Sequence, residues 1–430
     1  MITKYLRHLD DRQNILSRKP SQLFLSIGTL FRLLRSGVIE EHGMTGLEPE
    51  EKDPSLLVSV FIALLTTLLI STSIGPMIVK PRLYDGSIND IGRYAMTFDA
   101  YEHISETSDS VVIALGSSKM REAFDGVLIK ELSSSEYDFY NLAYGLEHPY
   151  IRVIEIESII ELNPEIVIFE VGPSTFSELS TPVPEWAQMM MAQLIALGGA
   201  DSTQHLGEII EPADLAILPN THLERMELLA TYFPDAIEYT LEYEFGLDAP
   251  YPCFGDEPNV RCVPLPTSSA YDNYLRHPPK LPNILAMIKE TGTLINSYGQ
   301  PYNISLEYYY GEHLDKYINR TYHNPEGVLN KNQVAFEYMI DRLVDAEIQV
   351  VLLGLPYNPV LMDRLAPGQW EYYNSSVRNY SQIEGVTVLN MMWDSGWAEE
   401  DFSDRTHMSR QGERKLAELL VQPLDQILGY

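Results

Sequence analysis

Cysteine is almost missing from this 430-residue chain: only Cys253 and Cys262 occur, in the stretch YPCFGDEPNVRCVP. Two thiols with no neighbouring Cys or His do not make a closed metal site. A small disulfide loop, which implies an oxidising compartment, or two free thiols remain open. The ten histidines are scattered, and no metal or other cofactor is expected. Basic residues are also scarce, 30 Lys and Arg against 61 Asp and Glu, for a net charge of −31. Residues 1–53 balance eight basic against eight acidic residues, so the whole excess falls after position 53. An acidic domain repels nucleic acid, and a nucleic-acid partner is excluded. There is no internal repeat and no low-complexity segment, which removes the repeat architectures.

One stretch lacks charge altogether. No Asp, Glu, Lys or Arg occurs from Pro54 to Val79, and Leu56–Ile74 is dominated by Leu, Ile, Val, Phe and Thr. A bilayer's hydrocarbon core needs ~20 apolar residues, whereas a signal peptide has a shorter core nearer the N-terminus. The expectation is a single transmembrane helix over 54–79, preceded by a segment 1–53. Within that segment Leu23, Phe24, Ile27, Leu30, Phe31 and Leu34 recur at helical spacing. Lys52 and Arg35 on one side against Lys80, Arg82 and Arg93 on the other leave the positive-inside count undecided. The cysteine pair and four N-x-S/T triplets (Asn303, Asn319, Asn374, Asn379) favour a cytoplasmic N-terminus and an extracytoplasmic domain from 80 to 430.

Within that domain strand and helix signals alternate. Strands are expected at Val111–Leu115, Asp138–Leu142, Glu165–Val171, Gln349–Leu353 and Val386–Leu389. Helices are expected at Phe124–Leu132, Pro149–Leu162, Asn332–Ala346 and Arg410–Leu428, with a polar, tyrosine-rich helical stretch around Leu361–Tyr380. The pattern predicts an α/β fold, a doubly wound, five-stranded parallel sheet. About 160 residues interrupt it, an interval too long for a connection. Residues 173–331 are read as a mostly helical insertion, with pieces at Glu185–Leu197, Leu223–Tyr232 and Asn283–Tyr298, beside the site.

The chemistry gathers at the two ends of this domain. Val111–Met120, VVIALGSSKM, runs from a buried strand into Gly116-Ser117-Ser118, at the strand end where open α/β sheets bind ligands. Alone this is an ordinary strand-to-helix turn. Nearly three hundred residues later comes Asp404-Arg405-Thr406-His407, whose spacing puts carboxylate and imidazole on one side of a turn. A carboxylate so placed holds a histidine's tautomer while the ring takes a serine proton. Ser409 is a good N-cap for the following helix, and Gly412 in its first turn calls for a packing reason. Glu170, near the end of a central strand, would need a buried partner. His148 is expected to line the pocket or cap a helix, and Trp186, Trp370, Trp393 and Trp397 to serve as core, rim or sugar-stacking aromatics.

Four blocks in order resemble the SGNH/GDSL hydrolase superfamily: Gly116-Ser117-Ser118, Asn141-Leu142-Ala143-Tyr144-Gly145, Val171-Gly172-Pro173-Ser174, and Asp404 to Gly412. The resemblance covers about Ser110–Leu428 without the insertion. It implies a flavodoxin-like SGNH fold with Ser118 as nucleophile, His407 as general base and Asp404 as its orienting partner, Ser117 being the second-choice nucleophile. It implies an oxyanion hole from the Ser118 N–H and the Gly145 region. The family's third-block Asn is missing, leaving Ser174 or Asn141 to stand in. The anchor and the Gly-Ser-Ser block are similar to the branch containing alginate O-acetyltransferase-type and teichoic acid D-alanylation proteins. That branch implies an esterase or O-acyltransferase acting on a surface polysaccharide or other acyl acceptor, with a membrane-bound acyl-transfer partner. The rival expectation is an inactive scaffold or glycan-binding protein with the same fold.

Overall fold

A computed structural model describes residues 58–63, 65, 97–176, 179, 182–198, 205–231, 269–278, 280, 283–295, 301–321, 330–393 and 396–430. Residues 58–63 and 65 are helical and exposed, and the rest of the 54–79 stretch, the 23–34 pattern and Cys253 and Cys262 lie outside the described residues. Among the described residues no helix is long and apolar enough to cross a membrane. The chain divides into two compact units.

The larger unit, Leu69–Ala286 with Leu306–Tyr430, holds an α/β sheet. In chain order it runs α1 (Thr97–Thr107), β1 (Val111–Leu115), α2 (Ser118–Ala123), α3 (Gly126–Leu132), β2 (Asp138–Asn141), α4 (Pro149–Arg152), α5 (Ile156–Leu162) and β3 (Ile166–Val171). After α6 (Glu185–Gly198), and beyond a hairpin of β4 (Thr293–Ile295) and β5 (Pro301–Asn303) in the other unit, come α7 (Lys331–Asp345), β6 (Gln349–Gly354), α8 (Pro367–Tyr380), β7 (Val386–Asn390) and α9 (Arg410–Ile427). All five strands of the main sheet are parallel, in the order β2-β1-β3-β6-β7. The largely aliphatic runs of the three central strands, β1, β3 and β6, reflect burial on both faces. Val111, Ile113 and Leu115 of β1 join one core cluster with Tyr101 of α1, Ile159 of α5 and Phe336 of α7. Val112 and Ala114 join the other, with Met120 of α2, Ile129 of α3 and Leu416 of α9.

This order places a reversal between β1 and β3. The chain leaves β1 for helices on one face and reaches α7, after β3, on the other. Loops therefore diverge at the carboxyl ends of these two strands, where such sheets hold ligands.

Several boundaries differ from those the pattern suggested. The helix expected at Phe124–Leu132 is α3, which begins at Gly126 because the Asp125 carboxylate accepts the Leu128 N–H at 3.0 Å, and a separate helix, α2, precedes it. Pro149–Leu162 is split by a 3₁₀ turn at Val153–Glu155. Pro367, at the first position of α8, separates it from a short turn at Pro359–Met362. The helical piece expected at Asn283–Tyr298 covers only Ile284–Thr291. Gly292 ends it at φ +63°, and the β-branched residues that follow pair as the β4–β5 hairpin, so the insertion is not helical throughout.

Candidate active site

Two segments of opposite sequence position meet at the carboxyl end of β1. The Ser117 hydroxyl caps α2, accepting the Lys119 N–H at 3.2 Å, and this sets Ser118 as the first helical residue. Gly116 must be glycine here, since a β-carbon would lie 2.6 Å from Glu170 Cβ and 2.8 Å from Met120 Cβ. On the other side the Ser409 hydroxyl caps α9 by accepting the Gly412 N–H at 3.3 Å. The Asp404–His407 turn is held by the Ser403 N–H to His407 O bond at 2.9 Å and by Asn358, whose N–H reaches Arg405 O at 3.3 Å.

The result is a linear hydrogen-bonded chain. His407 Nε2 lies 2.8 Å from Ser118 Oγ, and His407 Nδ1 lies 2.7 Å from Asp404 Oδ2. Asp404 Oδ1 accepts the backbone N–H groups of Thr406 and His407, each at 2.7 Å. Burial alone would raise the Asp404 pKa, but His407 and these amides hold it well below the usual carboxylate range. Burial would conversely lower His407, yet the Asp404 carboxylate raises its pKa above the ordinary value.

The other residues singled out by sequence take definite places. Ser117 is committed to Glu170: its N–H lies 2.8 Å and its hydroxyl 2.9 Å from Oε2. Glu170 also accepts the Met120 N–H at 3.2 Å and pairs with Lys119 Nζ at 2.6 Å, the buried partner its position required. Asn141 is fully buried, and its amide donates to the carbonyls of Met120, Arg121 and Phe124 at 3.2, 3.1 and 2.7 Å. Its Oδ1 accepts the Ala143 N–H. With both ends occupied it has no donor to offer an oxyanion, and it instead holds the C-terminal end of α2.

Gly145 lies in the turn after β2, tied to the serine turn by the Tyr144 N–H to Gly116 O bond at 3.0 Å and by the Gly116 N–H to Glu147 Oε2 bond at 3.1 Å. Burial pushes the Glu147 carboxyl up to about 7 against the pull of Arg152. His148 precedes α4 without a side-chain cap; its ring sits 5.5 Å from Trp186, and burial lowers its pKa to about 4. Ser174, after β3, sits beside Lys119 Nζ at 3.3 Å.

Lys119 and Tyr357 are the site residues that motif reasoning passed over. Lys119 was readable, since it follows the Gly-Ser-Ser block; Tyr357 stands just beyond β6, whose place beside β3 no local pattern shows. The insertion reaches the site too, because Arg405 lies 3.9 Å over the Tyr317 ring and donates to His313 Nδ1 at 2.9 Å.

Among the described residues, Asp125, His277 and Glu413 group as potential metal ligands. Lys280 Nζ lies 3.0 Å from Glu413 Oε1, so a cation already pairs with one of the three, while Asp125 uses Oδ1 for the α3 cap and turns Oδ2 to His277 Nδ1 at 3.6 Å. In comparisons with known proteins, no family model matches the chain and no curated protein matches it.

Proposed function

We propose that the chain is a serine esterase or O-acyltransferase of SGNH/GDSL type, working through an acyl-serine on a hydroxyl of a surface glycan. The observation that carries this reading is the Ser118–His407–Asp404 chain, with both contacts under 3 Å. Ser118 Oγ attacks the acyl carbonyl while His407 Nε2 takes its proton, and Asp404 stabilises the imidazolium that forms. The C–O bond to the leaving alcohol then breaks as His407 returns the proton to it, leaving Ser118 acylated. Water or a sugar hydroxyl, deprotonated by His407, next takes the acyl group and releases the serine. Hydrolysis and transfer differ only in that acceptor.

In this reading the 54–79 stretch is a single-pass anchor, with residues 1–53 cytoplasmic and the α/β domain outside the membrane. Cys253 and Cys262 form a disulfide, and the insertion shapes substrate access. A membrane-bound acyl-transfer partner supplies the donor. The −31 charge favours a neutral or cationic acceptor over a polyanion.

A fluorophosphonate probe tests the proposal. Labelling of the full chain in detergent is expected to survive Ser117→Ala and to vanish in Ser118→Ala. A second reading, a non-catalytic glycan-binding scaffold, is favoured by Ser174 standing where the resemblance calls for Asn. A folded wild-type chain that neither labels nor turns over an aryl acetate would establish that scaffold.

A further inference from the structure

Lys119 is buried and follows the proposed nucleophile, yet the serine–histidine–aspartate chain makes no use of it. Its side chain is nearly enclosed, with the residue 8% exposed. The ammonium has three hydrogens and three acceptors: Glu170 Oε1 at 2.6 Å, the Tyr357 hydroxyl at 2.8 Å and Ser174 Oγ at 3.3 Å. The Tyr357 ring centre lies 4.5 Å from Nζ. Burial would lower its pKa, but Glu170 and Tyr357 more than reverse that, so Lys119 is a cation wherever His407 titrates. Nothing larger fits beneath: a β-carbon on Gly172 would lie 2.6 Å from Tyr357 Oη.

Stability alone is a poor reason for such a pair. Two desolvated charges are often no better than well-packed apolar side chains of the same volume. Glu170 anchors the start of α2 through Ser117 N, Ser117 Oγ and Met120 N, three bonds that do not involve the lysine. What Lys119 adds is a link from the β1 turn to the ends of β3 and β6. It meets Ser174 at the position where the resemblance places an amide donor. With its three hydrogens engaged, the ammonium has none for an oxyanion. It acts through an acceptor instead. A hydroxyl whose oxygen accepts from an ammonium turns its own proton away from that cation and donates it more strongly.

We propose that the Ser174 hydroxyl donates to the oxyanion formed on the acyl carbonyl, and that Lys119, clamped by Glu170 and Tyr357, is the positioning residue that orients and polarises it. No proton is transferred: the oxyanion accepts the Ser174 O–H bond alongside the Ser118 and Gly145 amides, and releases it when the carbonyl re-forms. This inference rests on the esterase reading above.

The test uses the full chain in detergent with 4-nitrophenyl acetate as substrate and a phenylboronic acid, which forms a tetrahedral serine adduct, as inhibitor. Removing one oxyanion donor costs on the order of 10²–10³ in kcat. Ser174→Ala is therefore expected to lower kcat about 10²-fold at near-constant KM and to weaken boronate inhibition by a similar factor. Lys119→Met is expected to lower kcat at least about tenfold, again without a change in KM. In that background Ser174→Asn is expected to restore kcat, because an amide donates without the ammonium.

Lys119→Met/Glu170→Gln removes both charges together, and Tyr357→Phe removes only a hydroxyl, so the relay is probed even if Lys119→Met alone does not fold. Wild-type turnover with kcat unchanged in Ser174→Ala and Lys119→Met overturns the relay and leaves the esterase standing. A rise in KM at constant kcat also overturns it, since it marks ground-state binding. A folded wild-type chain that neither labels nor turns over ester overturns both proposals.

Discussion

Gly412 and Asp401 touch backbone to backbone: a β-carbon on Gly412 would lie 2.0 Å from the Asp401 carbonyl oxygen. The first turn of α9 is thereby pressed onto the segment that leads into Asp404. Asp401 is fixed from the same helix by Gln411 Nε2 and Lys415 Nζ, each at 3.0 Å. Gly412→Ala must push the helix or the segment aside, an overpacking cost of about 1–3 kcal/mol. Denaturant unfolding should show that loss. Ester turnover should fall by more than the folded fraction does, because His407 moves with the turn. A variant with unchanged stability would show that the contact relaxes without strain.

The Asp404–His407 pair sets an expected pH dependence. Asp404 raises the imidazole pKa above its ordinary value, and the base works only when neutral. The acid limb of kcat/KM should therefore lie above pH 6.5, the ordinary histidine value. Asp404→Asn should move that limb down and lower kcat by up to about 10⁴-fold. The stability effects have opposite signs. The imidazole's contribution is present below its unfolded pKa and is lost as pH rises through the raised folded value. The depressed Asp404 contributes above its unfolded pKa and is lost as pH falls through its folded one. A limb unmoved by Asp404→Asn would mean that another group governs the rate.

Asn141 supplies a prediction of the contrary kind. Its amide serves three buried carbonyls around the end of α2, and leaving buried polar groups unpaired costs ~1–3 kcal/mol each, not additively. Asn141→Leu should destabilise the domain by roughly 3 kcal/mol. Turnover per folded molecule should drop less than in Ser174→Ala. The reverse ranking would return Asn141 to the oxyanion hole.

The parallel sheet was legible because its central strands, β1, β3 and β6, carry aliphatic residues on both faces, and only burial on both sides suits a run such as Val111–Leu115. Ser118, Asp404 and His407 were legible because each stands beside an abrupt change of local structure, a strand end or a helix cap. Asn141 stood beside Ser174 as a candidate donor because sequence records a residue's type and not its direction. Its amide faces the carbonyls around the end of α2. Tyr357 escaped notice since its role depends on β6 lying beside β3, a neighbour relation that no local pattern encodes. The strand Thr293–Ile295 was hidden by a helix-forming stretch before it, and Gly292 was the one break to be read there.

Arg405 sits between Asp404 and His407 in sequence yet turns toward the insertion. Its guanidinium covers Tyr317 at 3.9 Å and bonds His313 at 2.9 Å, while Asn358 holds the backbone of the same turn independently. Asp404 Oδ1 is fixed by amides of its own loop. Arg405→Ala should therefore leave the dyad in place, with 4-nitrophenyl acetate turnover within about threefold of wild type, well short of the 10²-fold that a misplaced reacting group can cost. It should remove a cation–π contact of about 1–2 kcal/mol at this partly desolvated position. That loss should appear as faster limited proteolysis within the helix Glu312–Thr321. A collapse of ester turnover instead would place Arg405 among the residues that align His407, and the insertion would then be part of the catalytic frame and not only its border.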